Sequence, residues 1–182
     1  EICRPPAPRA RPVALKNTSI ELIESRTPIL VLEKSFIPDS GGAGRHRGGL
    51  AQRVRIRKRV HDSLPMLVSV YPEGVHLEPA GLFGGQPGLP ARGVVLGADG
   101  AVEHDCGTGE LVTLRDTAQQ VEIVLAGGSG FGSPQERDGR AIEQDLAMGW
   151  VTQQGSERDY GFSSARAAVA GDVRLQPLER ES

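Results

Sequence analysis

The stretch Asp39-Ser40-Gly41-Gly42-Ala43-Gly44-Arg45-His46-Arg47-Gly48-Gly49-Leu50 concentrates the residue types that hold anions. Its glycines let the backbone approach a ligand closely, and Arg45 and Arg47 each present a planar fork of donors that matches a carboxylate or phosphate. A structural reading stands beside this one: the glycines turn the chain between two strands, and the arginines pair with carboxylates such as Asp39. The candidate anion- or substrate-binding residues are therefore Ser40, Gly41, Gly42, Arg45 and Arg47. No Gly-Lys-Ser/Thr follows, which excludes a Walker loop. A later run, Gly127-Gly128-Ser129-Gly130-Phe131-Gly132, precedes a predicted helix, where free backbone N–H groups could cradle phosphate. A tight strand-to-helix turn accounts for the same residues, and the parallel βαβ setting of a dinucleotide site is not evident.

Other reactive side chains are less organised. No Gly-x-Ser-x-Gly elbow is present, and Ser40, the one serine at an exposed-looking turn, has no assigned base. Asp105-Cys106-Gly107 sets a thiol beside a carboxylate, but a neighbouring negative charge raises a thiol pKa, so a packed cysteine is expected. His46, His61, His76 and His104 are scattered, so no metal-ligating set is assigned, although a fold can gather distant ligands. Catalytic residues are not identified.

These groups must be positioned by short elements. Ile29-Leu30-Val31-Leu32 through Phe36 reads as a strand after Pro28. Leu50, Val54, Ile56 and Val60 alternate with Arg53, Arg55, Arg57 and Arg59, which predicts a strand with one apolar and one basic face. The basic face has no interleaved aromatics for base stacking, so a solvated face or an acidic subunit is expected against it rather than RNA. Leu64 to Val70, Val94-Val95-Leu96, Leu111 to Leu114 and Val121 to Leu125 are further strands, with Asp99-Gly100 as a hairpin turn. Leu82 to Gly88 is a loop. Ser133, Pro134, Glu136 and Asp138 punctuate the start of one helix that Gly149 ends, with its regular part beginning as late as Arg140. The fold class expected is α+β and β-rich: mostly antiparallel strands, glycine-rich loops and one main helix near 137–148.

Several of these segments resemble one known family. Residues 39–50 are similar to the signature of the hydantoinase B/oxoprolinase family, Asp-Ser-Gly-Gly-Ala-Gly followed by Arg-x-Arg-Gly-Gly-Leu. Asn17-Thr18 with Glu21 and Glu24 resembles its upstream segment, Gly81 to Gly85 with Pro87-Gly88 its second glycine loop, and Gly127 to Pro134 its third. Glu136-Arg137-Asp138, Asp145, Gly149 and Tyr160-Gly161-Phe162 follow in the family's order. Ser129, Ser133, Gly74 and Ala80 depart from the family's usual residues, which bears on loop contacts. The resemblance covers about residues 17–165, leaving 1–16 as an expected disordered leader and 166–182 as an irregular tail. It implies the C-terminal module of the large subunit of an ATP-dependent cyclic amidase acting on a hydantoin or 5-oxoproline, not catalytic by itself. A subunit-assembly module, a truncated remnant or part of a ketone carboxylase are the alternatives. Implied partners are a hydantoinase A-type ATP-binding subunit and the missing N-terminal region of its own subunit, and the arginine stripe would then face a subunit interface. ATP and a divalent metal are implied for the full complex, with none bound to this portion.

Composition narrows the remaining classes. With 24 Gly, 13 Pro and 4% aromatic residues in 182, tight turns and short elements dominate. Lys+Arg of 21 against Asp+Glu of 23 gives no general attraction to nucleic acid or anionic membrane. Cys3 and Cys106 form no zinc ribbon or disulfide framework, which fits a reducing, cytoplasmic setting. No apolar run reaches bilayer length, and the chain opens on Glu1, as expected of a processed or excerpted chain.

Overall fold

The computed structural model describes residues 19–60, 64–71, 75, 80–107 and 109–163. The expected leader and tail, Asn17-Thr18, Gly74, His61 and His76 lie outside the described residues.

Among the described residues, seven strands form in chain order: β1 (Ile29–Phe36), β2 (Gln52–Lys58), β3 (Met66–Val70), β4 (Arg92–Leu96), β5 (Val102–Cys106), β6 (Glu110–Leu114) and β7 (Gln120–Val124). All their pairings are antiparallel, in a five-stranded sheet of order β1-β2-β7-β4-β5 and a two-stranded sheet of β3 and β6. The β-rich α+β architecture expected from sequence is the one observed. β4 and β5 form the hairpin anticipated at Asp99-Gly100, where Gly97 and Ala101 close the turn and Gly100 takes the positive φ of 78° that suits glycine.

Alternation sets which face each strand buries. Ile56 of β2, Val121 of β7 and Val95 of β4 stand side by side in register and meet the small sheet through Val70, Val112 and Leu114. Cys106 belongs to this same apolar layer, so burial explains it as the sequence anticipated.

The opposite face of β2 carries the arginines, but its charge is answered inside the sheet. Arg55 lies in register with Glu33 of β1 on one side and Glu122 of β7 on the other. Its Nη2 is 2.5 Å from Glu33 Oε2, and Arg53 reaches both carboxylates at 3.4–3.8 Å. Arg57 and Arg59 donate to the carbonyls of Thr117 and Glu24. Cross-strand pairing thus supplies counter-charges that periodicity within one strand could not reveal.

Among the described residues, three α-helices accompany the sheets where one main helix was expected. α1 (Ile20–Arg26) is capped by Ser19, whose Oγ accepts from Leu22 N, and is tied to β1 by Val31 N donating to Glu24. α2 (Gly139–Ala147) fills the predicted position, but Asp138 is its cap, and Ser133-Pro134 instead begins a single 3-10 turn at Pro134–Glu136. α3 (Gln153–Tyr160) has a polar sequence with little amphipathic signal, and its start is set by Thr152, whose Oγ1 accepts from Gly155 N. Among the described residues, no helix is long and apolar enough to cross a membrane.

The Ser35 hydroxyl, followed by the Arg55 and Arg53 guanidiniums, holds the Glu33 carboxyl below its ordinary range, against the opposing effect of burial. The stabilisation from this ionised group is full above the usual carboxylate range and disappears as pH falls through the lowered value. Glu33→Gln should therefore flatten the acid limb of the stability–pH curve, measured by urea denaturation across that range.

Candidate functional site

The three glycine-rich loops expected from sequence come together into one braid of backbones. Gly42 N donates to Gly128 O, and Gly128 N donates to Gly49 O, joining the first loop to the third. Gly130 N donates to Gln86 O, and Gln86 N donates to Ala43 O, so the second loop lies between them. His46 and Phe131 exchange both of their backbone bonds, at 2.9 and 3.0 Å, while Leu82 N reaches Gly130 O and Gly132 N returns to Leu82 O.

This closeness explains the residue type. A Cβ on Gly42 would stand 2.1 Å from Gln86 O, and one on Gly48 would stand 1.9 Å from Gly128 O, separations that no side chain tolerates. Backbone approaches backbone here, where the sequence left open an approach to an anion. The third loop gives the same answer, because the N–H groups of Gly127, Gly128, Gly130 and Gly132 all donate to neighbouring loops. Its donors for a phosphate cradle are already in use.

Ser40 is buried, and its hydroxyl donates to Ile37 O at 2.5 Å while accepting from Ala51 N at 2.8 Å. It cross-links the two ends of the first loop. Asp39 adopts a left-handed φ of 58°, and its carboxylate accepts from Thr152 N and Thr152 Oγ1 at 2.8 and 2.6 Å. Gly155 is glycine because the Asp39 carboxylate occupies the place of its Cβ, 2.2 Å away. Asp39 thus fastens the loop to the start of α3 instead of pairing with the arginines.

Arg45 and Arg47 part company. The Arg47 guanidinium binds Asp145 of α2 through Nε and Nη2 at 3.0 and 3.2 Å, and Nη1 donates to Gly48 O. Arg137 shares the same carboxylate through Nη2 at 2.7 Å, and its Nη1 donates to Arg45 O. The three side chains are only 12%, 5% and 10% exposed for Arg47, Asp145 and Arg137. Trp150 and Tyr160 rings lie beneath the two guanidiniums, at 5.6 and 5.7 Å. Burial, ahead of the surrounding charges, pushes the Tyr160 phenol up. Arg45 is 61% exposed and only 4.0 Å from Glu136, so its fork remains open to solvent.

A cavity of about 400 Å³ opens where Phe36, Leu50 and Trp150 meet Arg47, Gly48 and Gly49. It is large enough for a small ring or an apolar side chain from another polypeptide segment. Asp145 and Trp150 were not singled out as site residues from sequence, because Asp145 lies 98 positions from Arg47 and no local pattern links them.

Comparison with known proteins places these features in context. The family model described as Hydantoinase B/oxoprolinase matches residues 9–134. An uncharacterized protein of Methanocaldococcus jannaschii is 36% identical over 144 residues, covering 79% of this chain and 24% of that protein. The caprolactamase subunit beta of Pseudomonas jessenii is 31% identical over 150 residues, covering 81% and 25% respectively. The crystal structure of the ATP-dependent caprolactamase from Pseudomonas jessenii superposes with a TM-score of 0.67 at 27% identity, over 80% of this chain and 25% of that one. The chain spans about a quarter of the length of these curated relatives.

Three substitutions test the braid and the charged network beneath it. Gly42→Ala should cost about 3 kcal/mol or more through overpacking, whereas exposed Gly49→Ala, with open space around its Cβ, should stay within about 0.5 kcal/mol. Asp145→Asn leaves two buried guanidiniums short of a counter-charge and should cost about 3 kcal/mol. Urea denaturation curves read all three.

Proposed function

This chain belongs to the hydantoinase B/oxoprolinase family, and from that premise we propose that it is the C-terminal module of the large subunit of an ATP-dependent cyclic amidase, not catalytic by itself. The observation that carries the reading is the joint sequence and structural likeness to the ATP-dependent caprolactamase, an enzyme named for a lactam. A cyclic amide such as a hydantoin, 5-oxoproline or a related lactam is the proposed substrate class of the complete enzyme.

Within that enzyme the braid is a rigid scaffold. Ser40, Gly41, Gly42 and Arg47 lie in or beside the first loop's internal network, and Arg45 is the member of the candidate anion-binding set with an exposed fork. We assign to Arg45 the orientation of an anionic group of substrate or partner. ATP does not fit the braid, whose third-loop N–H groups are already bonded and which has no Walker lysine; the nucleotide belongs to a hydantoinase A-type partner subunit. The divalent metal implied by the family belongs, on the same reading, to the N-terminal region of the large subunit.

The assembly reading has an observation of its own. The internally satisfied loops and the cavity at Phe36 and Trp150 suit a module that braces the rest of its subunit rather than one that meets substrate.

Size-exclusion chromatography with a hydantoinase A-type subunit from the same source tests the proposal. Co-elution, followed by ATP-dependent lactam opening once the N-terminal region is supplied, is the expected result; absence of a complex would leave a remnant with no working role. Arg45→Ala should weaken ligand or partner binding about tenfold with an unchanged melt, whereas Arg47→Ala should lower the melting temperature. Loss of partner binding without loss of ligand affinity in Arg45→Ala would favour the assembly module.

A further inference from the structure

Outside the braid, one cluster unites three different metal-binding side chains. His104 and Cys106 lie two residues apart on β5, so both point from the same side of the strand, and Glu110 at the start of β6 is brought to them where Gly109 N donates to Gly107 O. One ligand atom from each, an imidazole nitrogen, the thiol sulfur and a carboxylate oxygen, lies within 4.8 Å of the other two. From this geometry we infer that His104, Cys106 and Glu110 form a binding site for a zinc-class divalent cation.

Donor chemistry selects the ion. Thiolate, imidazole and carboxylate together suit tetrahedral zinc, whereas magnesium and calcium take oxygen-only sets. A deprotonated Cys106 and Glu110 bring two negative charges, so the site holding a doubly charged ion and a neutral His104 is electrically neutral.

The geometry asks for modest adjustment. Tetrahedral zinc with bonds of about 2.0–2.3 Å sets its ligand atoms about 3.3–3.7 Å apart. A separation as wide as the 4.8 Å bound must therefore contract by about 1.1–1.5 Å. The hydrogen bond between His104 Nε2 and Glu110 Oε1, now 2.7 Å, must open by somewhat less. Both side chains are 40–49% exposed, which leaves room at the surface for this rearrangement. Glu110 Oε2 accepts from Gly107 N at 3.3 Å, which holds the carboxylate over the turn.

A recess of about 350 Å³ lies against His104 and Glu110, leaving room for a fourth, solvent ligand. The register shift between Val95 and Leu96 turns Glu103 towards the same recess, where Gln119 holds its carboxylate. Asp105 takes no part, being bonded to Arg92. Three protein ligands with one open position describe a site that joins the edge of the large sheet to the small one.

Zinc takes a cysteine as its thiolate, so binding releases the Cys106 proton. The experiment is titration of the full chain with Zn²⁺ by calorimetry and with Co²⁺ by absorption. The expected result is about one equivalent bound with a thiolate-to-cobalt charge-transfer band that persists in Cys3→Ser and vanishes in Cys106→Ser. His104→Ala, at an exposed position, and Glu110→Gln, at a half-buried one, should each weaken binding about tenfold or more, and they decide the matter should Cys106→Ser fail to fold. A chain that binds neither ion, or whose His104 and Glu110 variants keep full affinity, would overturn the site and leave a hydrogen bond between two sheets.

Discussion

Backbone-to-backbone contact among three glycine loops is the constraint on which this domain rests. Side chains keep ordinary chain segments apart, and only their removal allows three loops to share hydrogen bonds as strands of a sheet do. Gly42 and Gly48 therefore carry a packing requirement, and the polar groups that might otherwise greet a ligand are satisfied within the protein. The braid is rigid because its members are already bonded to one another.

Two carboxylates extend that rigidity to the helices. Asp39, in its left-handed conformation, accepts from the cap residue of α3, and Asp145 of α2 gathers Arg47 and Arg137 beneath the first loop. Ala43, Ile142, Val151 and Tyr160 complete this second core with apolar contact. The sheets have their own core around Val70, Leu114 and Val121, so the protein is stabilised by two centres with different chemistry: one chiefly aliphatic, one in which buried charge is enclosed by aromatic rings. Buried charge of this kind specifies geometry more than it adds stability, since its desolvation offsets much of the attraction.

Much of the sheet was legible from sequence because its signals are local. The alternation of Val54 and Ile56 with arginines, the short apolar runs, and the turn at Asp99-Gly100 each lie within a few residues. α1 and α3 were not legible: α1 is seven residues long, and α3 is polar along its length and is held by Asp39, 113 positions before Thr152. The candidate site was readable as a loop but not as a network. Nothing local distinguishes Arg47, which finds Asp145, from Arg45, which stays in solvent; the difference is made by the arrival of α2. In the same way, β2 alone reads as a basic face, and only the placement of Glu33 and Glu122 on its two neighbours gives Arg53 and Arg55 their counter-charges.

The braid also orders events in time. Its bonds join the first loop to segments that follow some 40 to 110 residues later, and such distant closures pay their chain entropy before any contact repays it. During synthesis the first loop can meet the second once Gln86 and Leu89 have emerged, but its bonds to the third loop and to the helices wait for Gly128, Asp145 and Thr152. The sheet hairpin of β4 and β5 can form long before then. The braid is therefore completed only after the strands, and a chain that stops after β7 would keep its strands yet lack the third loop and never close the braid.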